Sequence, residues 1–421
     1  MQDSAFLGQL VLGYSPMIDR QRTIMATRVT IFPERRDAPP DPSALLQALL
    51  VVWPPVASGE VQVPAVQGAP ARAAEAGTIL TPLSLNIASE AMLDAMLELR
   101  PPPHIMLEVP AFMAGDARRV PTLQALADAG STLLVKGRPV TELPREVLPC
   151  FKHSIIDMGE DRRTGASAPP PGVTRTITTV QAGVRSRADV DAAFERGAVA
   201  VLGWPTEDEV PQTMTGKSAP PDLQVVMELI KRVDREEPVE KLEAVLTRDP
   251  SLAFRLLRYI NSAAFGLSVE IGSFRHALML LGYQKLKRWL ALLLTSASKD
   301  PSARPVMFAA VRRGVLMEEL GRPSGDTEMG SEMFICGVFS LLDRMLQQPF
   351  AELFKSVPVP ERVRQALVEG TGPFQPYLDL VCALEQSSRS DIHEAADRAF
   401  LGLAEVNGAL LRALALAREL D

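Results

Sequence analysis

A chain of 421 residues that is 47% apolar and 23% charged has a globular composition, with room for two ordinary domains and sizeable cores. Its formal net charge of −7 argues against a general nucleic-acid binder, which usually carries a basic stripe. Cys150, Cys336 and Cys382 are far apart and odd in number, so neither a zinc spacing nor a disulfide framework follows, and a cytoplasmic location is expected.

The first residues, MQDSAFLGQLVLGYSP, lack a basic start before their short apolar run, so no signal peptide is expected. No apolar run approaches the roughly eighteen residues a membrane span needs. Residues 1–205 alternate short apolar runs with helical patterns. Strands are predicted at Phe6–Tyr14, Ile24–Phe32, Ile79–Asn86, Ile105–Val109, Thr132–Val135, Ser154–Asp157, Val173–Thr178 and Ala198–Leu202, with the first two forming a hairpin across Asp19-Arg20. Helices are predicted at Pro42–Leu50, Ser89–Leu99, Pro121–Ala129 and Ser186–Arg196. This alternation calls for a parallel α/β sheet, and the strand count favours closure into a barrel. Pro- and Gly-rich stretches at 38–42, 54–77 and 161–172 read as inserted loops.

Residues 206–221 read as a Pro-rich linker. From 222 to 421 the pattern is helical throughout, including Pro305–Leu320, Glu332–Gln347, Pro360–Glu369, Pro376–Gln386, Asp391–Leu403 and Val406–Leu420. The last of these, an amphipathic helix, either seals the helical core or presents a face to a partner, and the core role is favoured. The stretch from Leu242 to Leu294 is the most clearly punctuated. Asp249-Pro250 starts a helix carrying Leu252, Leu256, Leu257 and Ile260 on one face. Asn261-Ser262 ends it, Ser273 can cap the next helix, and Gly282 suits a left-handed position past that helix. Lys285, Lys287, Arg288 and Trp289 form the one basic-aromatic cluster, read as a solvated face beside a core tryptophan.

The order Asp-Pro, Leu-Leu-Arg, Asn-Ser-Ala-x-Phe (Asn261, Ser262, Phe265), Ile-x-Ser-Phe (Ser273), Ala-Leu and Leu-Leu-Gly (Gly282) resembles the HDOD domain. That domain is a catalytically silent relative of the HD metal-dependent phosphohydrolases of bacterial signalling proteins. The resemblance implies an all-helical domain in which Asp249, Pro250, Asn261, Ser262, Phe265, Ser273 and Gly282 are structural. Where an HD enzyme would place its His-Asp pair, this chain has Gly337-Val338-Phe339-Ser340-Leu341-Leu342, which offers no metal ligands.

The first half resembles the EAL domain, the cyclic di-GMP phosphodiesterase barrel, in its opening hairpin, in Leu85-Asn86-Ile87, in Ile105-Met106-Leu107-Glu108-Val109 and in Gly203-Trp204-Pro205. The resemblance implies two divalent metals held by carboxylates and an Asn at strand ends. Asn86 and Glu108 match two of those ligands. The name-giving Glu falls at Arg28, and the paired aspartates fall at Lys136-Gly137. Asp157 is kept, the late Glu falls near Ala182 or Arg185, and the glutamine before Gly203 is Leu202.

The fold expected is therefore α/β plus all-α: a degenerate EAL-like barrel (1–205), a linker (206–221) and a helical HDOD domain (222–421). The function expected is a non-catalytic bacterial signal-transduction adaptor that needs no cofactor and acts on other signalling or regulatory proteins. A sensor that binds cyclic di-GMP or another nucleotide without hydrolysis is the alternative. Nucleic acid is not an expected partner.

Overall fold

The chain is built on a hairpin whose first strand is shared by both halves of the molecule. In the computed structural model, which describes residues 6–35, 40–54, 82–139, 142–161, 177–210, 221–246, 274–296 and 301–418, β1 (Leu10–Asp19) pairs antiparallel with β2 (Ile24–Pro33). Then β3 (Leu83–Ile87), β4 (Ile105–Pro110), β5 (Leu133–Lys136), β6 (Phe151–Asp157), β7 (Thr178–Val184) and β8 (Ala200–Gly203) follow in parallel order. The barrel closes where β8 pairs antiparallel with Met17–Asp19 of β1.

Helices lie outside the strands because their starts are written locally. Asp41 accepts from the Ser43 amide ahead of Pro42, which opens α1 (Pro42–Val52). Ser89 accepts from Met92 N to start α2 (Glu90–Leu99). A short α3 (Ala111–Ala114) and α4 (Val120–Asp128) follow β4. Ser186 and Asp189 form a reciprocal capping box at α5 (Arg187–Glu195). Inside the barrel, alternate residues meet: Met17, Ala26, Met106, Leu134, Ile155, Val180, Ala182, Ala200 and Leu202 form one buried cluster.

Two predicted strands are placed differently. β1 begins four residues later than expected and runs through Pro16, where a strand was expected to have ended. The reason is edge geometry. Leu12 N points away from β2, to Asn407, so by the period of two the nitrogen of Pro16 also points away from β2. No strand pairs there until Met17, so the missing N–H costs no ladder bond. The seventh strand, expected at Val173–Thr178, is β7 at Thr178–Val184; residues 162–176 lie outside the described residues. Gln181 and Gly183 disguised β7, yet the Gln181 side chain is buried and donates to Ile156 O at 2.9 Å.

The second half contains α6 (Pro221–Asp234), α7 (Val239–Leu246), α8 (Phe274–Ser296), α9 (Arg304–Gly321), α10 (Thr327–Phe339), α11 (Leu342–Leu346), α12 (Phe350–Ser356) and α13 (Glu361–Arg364, continued by a π turn to Glu369). α14 (Gln375–Gln386), α15 (Arg389–Arg398) and α16 (Leu403–Arg418) follow. α8 is broken at Gly282, which has the positive φ expected (71°) but a ψ of 173°, an extended conformation open essentially to glycine alone and not the left-handed helical cap. The single helix expected over Glu332–Gln347 is two, α10 and α11. The Ser340 hydroxyl donates to Gly337 O at 2.7 Å between them, which satisfies a carbonyl at the break.

One apolar core runs from the barrel's outer layer into the helical half. α14 and α16 both pack on β1, so α16 serves neither a purely internal core nor a free face: it seals the seam between the halves. Asn407 in α16 is fully buried. Its Oδ1 accepts from Leu12 N at 3.2 Å, and its Nδ2 donates to Leu7 O at 2.8 Å and Leu10 O at 2.7 Å. Farther along the same edge, Trp204 Nε1 donates to Tyr14 O at 3.1 Å, and the Trp204 ring packs edge-on against Tyr14 and tilted against Phe308 of α9. Side chains thus satisfy the stretch of β1 that β8 does not reach, and the exposed edge a sheet would otherwise present is covered.

Candidate functional site

β2 to β8 run parallel, so their C-terminal ends gather at one mouth of the barrel, the face where barrels of this kind carry function. Arg28 on β2 lies opposite Ser84 on β3, and Thr30 lies opposite Asn86. Glu108 on β4 lies opposite Leu134, and Pro110 lies opposite Lys136 at the end of β5.

The register brings Arg28, Asn86, Glu108 and Lys136 into two cation-centred contacts. Arg28 grips Glu108 with two parallel bonds, Nε to Oε1 at 2.8 Å and Nη2 to Oε2 at 2.6 Å. Ser84 Oγ adds a third bond to Oε1 at 2.9 Å. The Glu108 carboxylate is therefore buried and accepts three hydrogen bonds. Lys136 Nζ donates to Asn86 Oδ1 at 2.7 Å, while Asn86 Nδ2 donates to Thr30 Oγ1 at 3.2 Å. Burial, reinforced by the nearby Arg28 charge, pushes the Lys136 ammonium below the ordinary lysine range. Gly137 follows with a φ of 80° and turns the chain out of the strand.

The two positions that match metal ligands are thus each held by a fixed cation. A divalent ion needs free carboxylate and carbonyl oxygens around it. Here the oxygens of Glu108 are taken by a guanidinium, and Asn86 Oδ1 is taken by an ammonium. Asp157 sits at the mouth, exposed, and accepts from its own turn at Gly159 N at 2.9 Å. Ala182 and Leu202 point into the apolar interior, and Arg185 lies 3.8 Å from Glu207. These residues do not fit a metal pair. Among the described residues, no three His, Cys, Asp or Glu side chains are grouped so as to hold a metal ion.

Above this floor lies a cavity of about 1150 Å³, bordered by Arg28, Asn86, Phe112, Lys136, Arg138 and Gln386. A second cavity of about 430 Å³ adjoins it on the side of the helical half and is bordered by Ser15, Arg185, Trp204, Arg313, Arg344 and Ser387.

The helical half has its own buried polar centre, which the sequence did not reveal. Arg313 of α9 forks onto Glu385 of α14 at 2.8 and 2.6 Å and donates to Ser340 Oγ at 3.1 Å. Both charged side chains are more than nine-tenths buried. The hydroxyl of Ser340, at the place an HD enzyme would reserve for its His-Asp pair, belongs to this network. A signal was available: Arg313 stands between two apolar runs of one helix, Ala309-Ala310 and Val315-Leu316-Met317, all of them buried. Of the residues singled out by sequence in this half, Asp249, Pro250, Asn261, Ser262, Phe265 and Ser273 lie outside the described residues, and Gly282 forms the kink in α8. No single helix among the described residues is long and apolar enough to cross a membrane.

The chain is thus a closed eight-stranded barrel followed by a helical half, and the helical half carries a family match. Residues 219–350 match the model of the HDOD domain family. The chain is 29% identical over 182 residues to the uncharacterized protein YuxH of Bacillus subtilis, which covers 42% of this chain and 44% of that protein. It is 25% identical over 204 residues to the cyclic di-GMP phosphodiesterase CdgJ of Vibrio cholerae, covering 48% of this chain and 47% of that one. The matched stretch spans less than half the length of either curated relative. Among solved structures, the PaMucR phosphodiesterase in complex with c-di-GMP aligns with 49% of this chain and 94% of its own, at 13% identity and a TM-score of 0.32. A putative phosphohydrolase from Shewanella amazonensis aligns with 47% of this chain and 93% of its own, at 18% identity and a TM-score of 0.32.

Proposed function

We propose that this chain is a non-catalytic signal-transduction adaptor that acts through contacts with other signalling or regulatory proteins. One observation carries the reading: Arg28 and Lys136 occupy the oxygens of Glu108 and Asn86 that a phosphodiesterase would turn toward its metals. A cation fixed in that place repels a divalent ion, and the ion's tasks of activating water and neutralising a phosphate go unfilled. The helical half likewise offers a hydroxyl and alkyl groups where an HD hydrolase needs imidazole and carboxylate. Two scaffolds remain, fused along β1, and surface contacts are what they can offer. Incubating the purified protein with cyclic di-GMP and manganese or magnesium tests the loss of catalysis. Linear product accumulating above a protein-free control, and abolished by Glu108→Gln, would overturn it. The adaptor role is tested by capture of partners from the native cell with the full chain as bait. Its support is a partner that then binds the purified chain directly.

A second reading is favoured by the mouth itself. A cavity of about 1150 Å³ with Lys136 and Arg138 on one side and the exposed Phe112 ring at its rim suits a nucleotide held without hydrolysis. The relative CdgJ is named for cyclic di-GMP, which makes that dinucleotide the first to try. Calorimetry with cyclic di-GMP decides it: no heat of binding at high micromolar nucleotide removes this reading and leaves the adaptor standing.

A further inference from the structure

We infer that the ligand site at the barrel mouth is composite, closed on one side by the corner between α14 and α15, so that a phosphate-bearing ligand bound there touches both halves of the chain. This rests on the nucleotide-binding reading above and adds what that reading lacks, a path from the ligand to the helical half.

Gln386 and Ser387, at the end of α14, border both the mouth cavity and the adjoining smaller cavity. Arg28, Asp157 and Ala182 also border both, so the corner stands where the two spaces meet. Its position is fixed from three directions. Ser387 adopts a left-handed φ of 55°, uncommon for a residue with a side chain, which ends α14 abruptly. β1 approaches it so closely that a Cβ on Gly13 would stand 2.5 Å from Ser387 Oγ and 2.8 Å from Ser387 Cα. Beyond the corner, α15 is tied to the end of β2, where Arg389 donates to Glu34 O at 2.6 Å and His393 Nε2 lies 3.0 Å from Glu34 Oε2.

The ligand chemistry follows from the opposite wall. Among the described residues the three-proton Lys136 ammonium makes one hydrogen bond, to Asn86, and the residue is partly buried. An anionic oxygen at the mouth would take its remaining protons, with Arg138 beside it. Phe112, 61% exposed on the short helix after β4, offers a ring face to a base. Ser387 Oγ is buried without a hydrogen-bond partner, and the Gln386 side chain is exposed at the cavity border. A molecule that spans from Lys136 to Gln386 therefore reports its presence to α14, the helix that also carries Glu385 of the buried Arg313 pair.

The test uses the full chain, with cyclic di-GMP, GMP and inorganic phosphate as probes, and combines calorimetry with hydrogen exchange over residues 375–398. The expected result is saturable binding of a phosphate-bearing probe with slowed exchange through that segment. Gln386→Ala, an exposed change that disturbs no packing, weakens binding by about tenfold. Gly13→Ala displaces the corner and weakens it at least as much. Binding with unchanged exchange in 375–398 and unchanged affinity in Gln386→Ala overturns the composite site while sparing the nucleotide-binding reading. No binding of any probe overturns both.

Discussion

Asn407 is the place to test whether barrel and helical half are one folded unit. Its amide supplies what a neighbouring strand would: an acceptor for Leu12 N and donors for Leu7 O and Leu10 O, all in a site without solvent exposure. Asn407→Ala removes three hydrogen bonds and leaves their buried backbone partners unpaired, at about 1–1.5 kcal/mol for each bond lost. A loss of about 3–5 kcal/mol is expected, against a total stability on the order of 5–15 kcal/mol. In urea unfolding with a slope of about 3 kcal/mol per molar, the midpoint falls by about 1 M or more. Asn407→Asp keeps one acceptor but turns a charge toward two carbonyl oxygens, so it is expected to be at least as damaging as alanine. Tryptophan fluorescence, to which Trp53 of the barrel and Trp289 contribute besides Trp204 at the seam, follows tertiary structure, and far-ultraviolet circular dichroism follows the helices. Both are expected to shift together. A loss below about 1 kcal/mol for Asn407→Ala would refute the reasoning, because it would mean that the β1 edge is solvated or otherwise satisfied when the amide is gone.

Three further outcomes follow from buried charge. Glu385→Leu strands Arg313 in the helical core and is expected to cost about 3–5 kcal/mol, whereas Arg313→Met with Glu385→Leu recovers most of it; a double variant no more stable than the single would count against the pair being an isolated unit. Lys136 has a folded pKa pushed below its unfolded value by burial and Arg28, so the unfolded chain binds more protons between those two values. Its contribution to stability therefore rises with pH in the window just below 10.5, and Lys136→Met removes that rise. Unfolding free energies at pH 8, 9 and 10 with equal slopes in both proteins would contradict this. The Cys336 thiol is buried and pushed up to about 12, so iodoacetamide at pH 8 is expected to leave it unmodified in the native protein and to label it in urea, as read by peptide mass spectrometry. Equal labelling in both states would show that α10 opens freely.

The barrel was legible because its strands and helix starts are local. Asp41-Pro42, Ser89 and Ser186 announce the helices that follow them, and Ile24 to Phe32 is rich in the β-branched residues a strand favours. What failed did so where tertiary structure excuses a local irregularity. Pro16 signals a strand end, and only the bare edge beyond Met17 makes it harmless. Gln181 and Gly183 look like loop residues, and only the barrel wall gives the glutamine a carbonyl to bond. The substitutions at Arg28 and Lys136 could be placed from the order of motifs. Their effect could not, because whether a cation repels a vacant site or closes it on its neighbour depends on side-chain reach across two strands. Asn407 and Arg313 were missed for the same reason, since their partners lie 395 and 72 residues away.

The two cationic substitutions and the seam bear on one another. Arg28 belongs at once to the floor of the mouth, through Glu108, and to the border of the smaller cavity beside the α14–α15 corner. Arg28 and Lys136 place cationic donors at the mouth, and β1 lies flush against the helical half, where Gly13 leaves no room for a side chain. The floor of the mouth and the seam at β1 therefore meet at one place, with Arg28 and Lys136 on one side and the α14–α15 corner on the other, so a change on either side is expected to be felt on both.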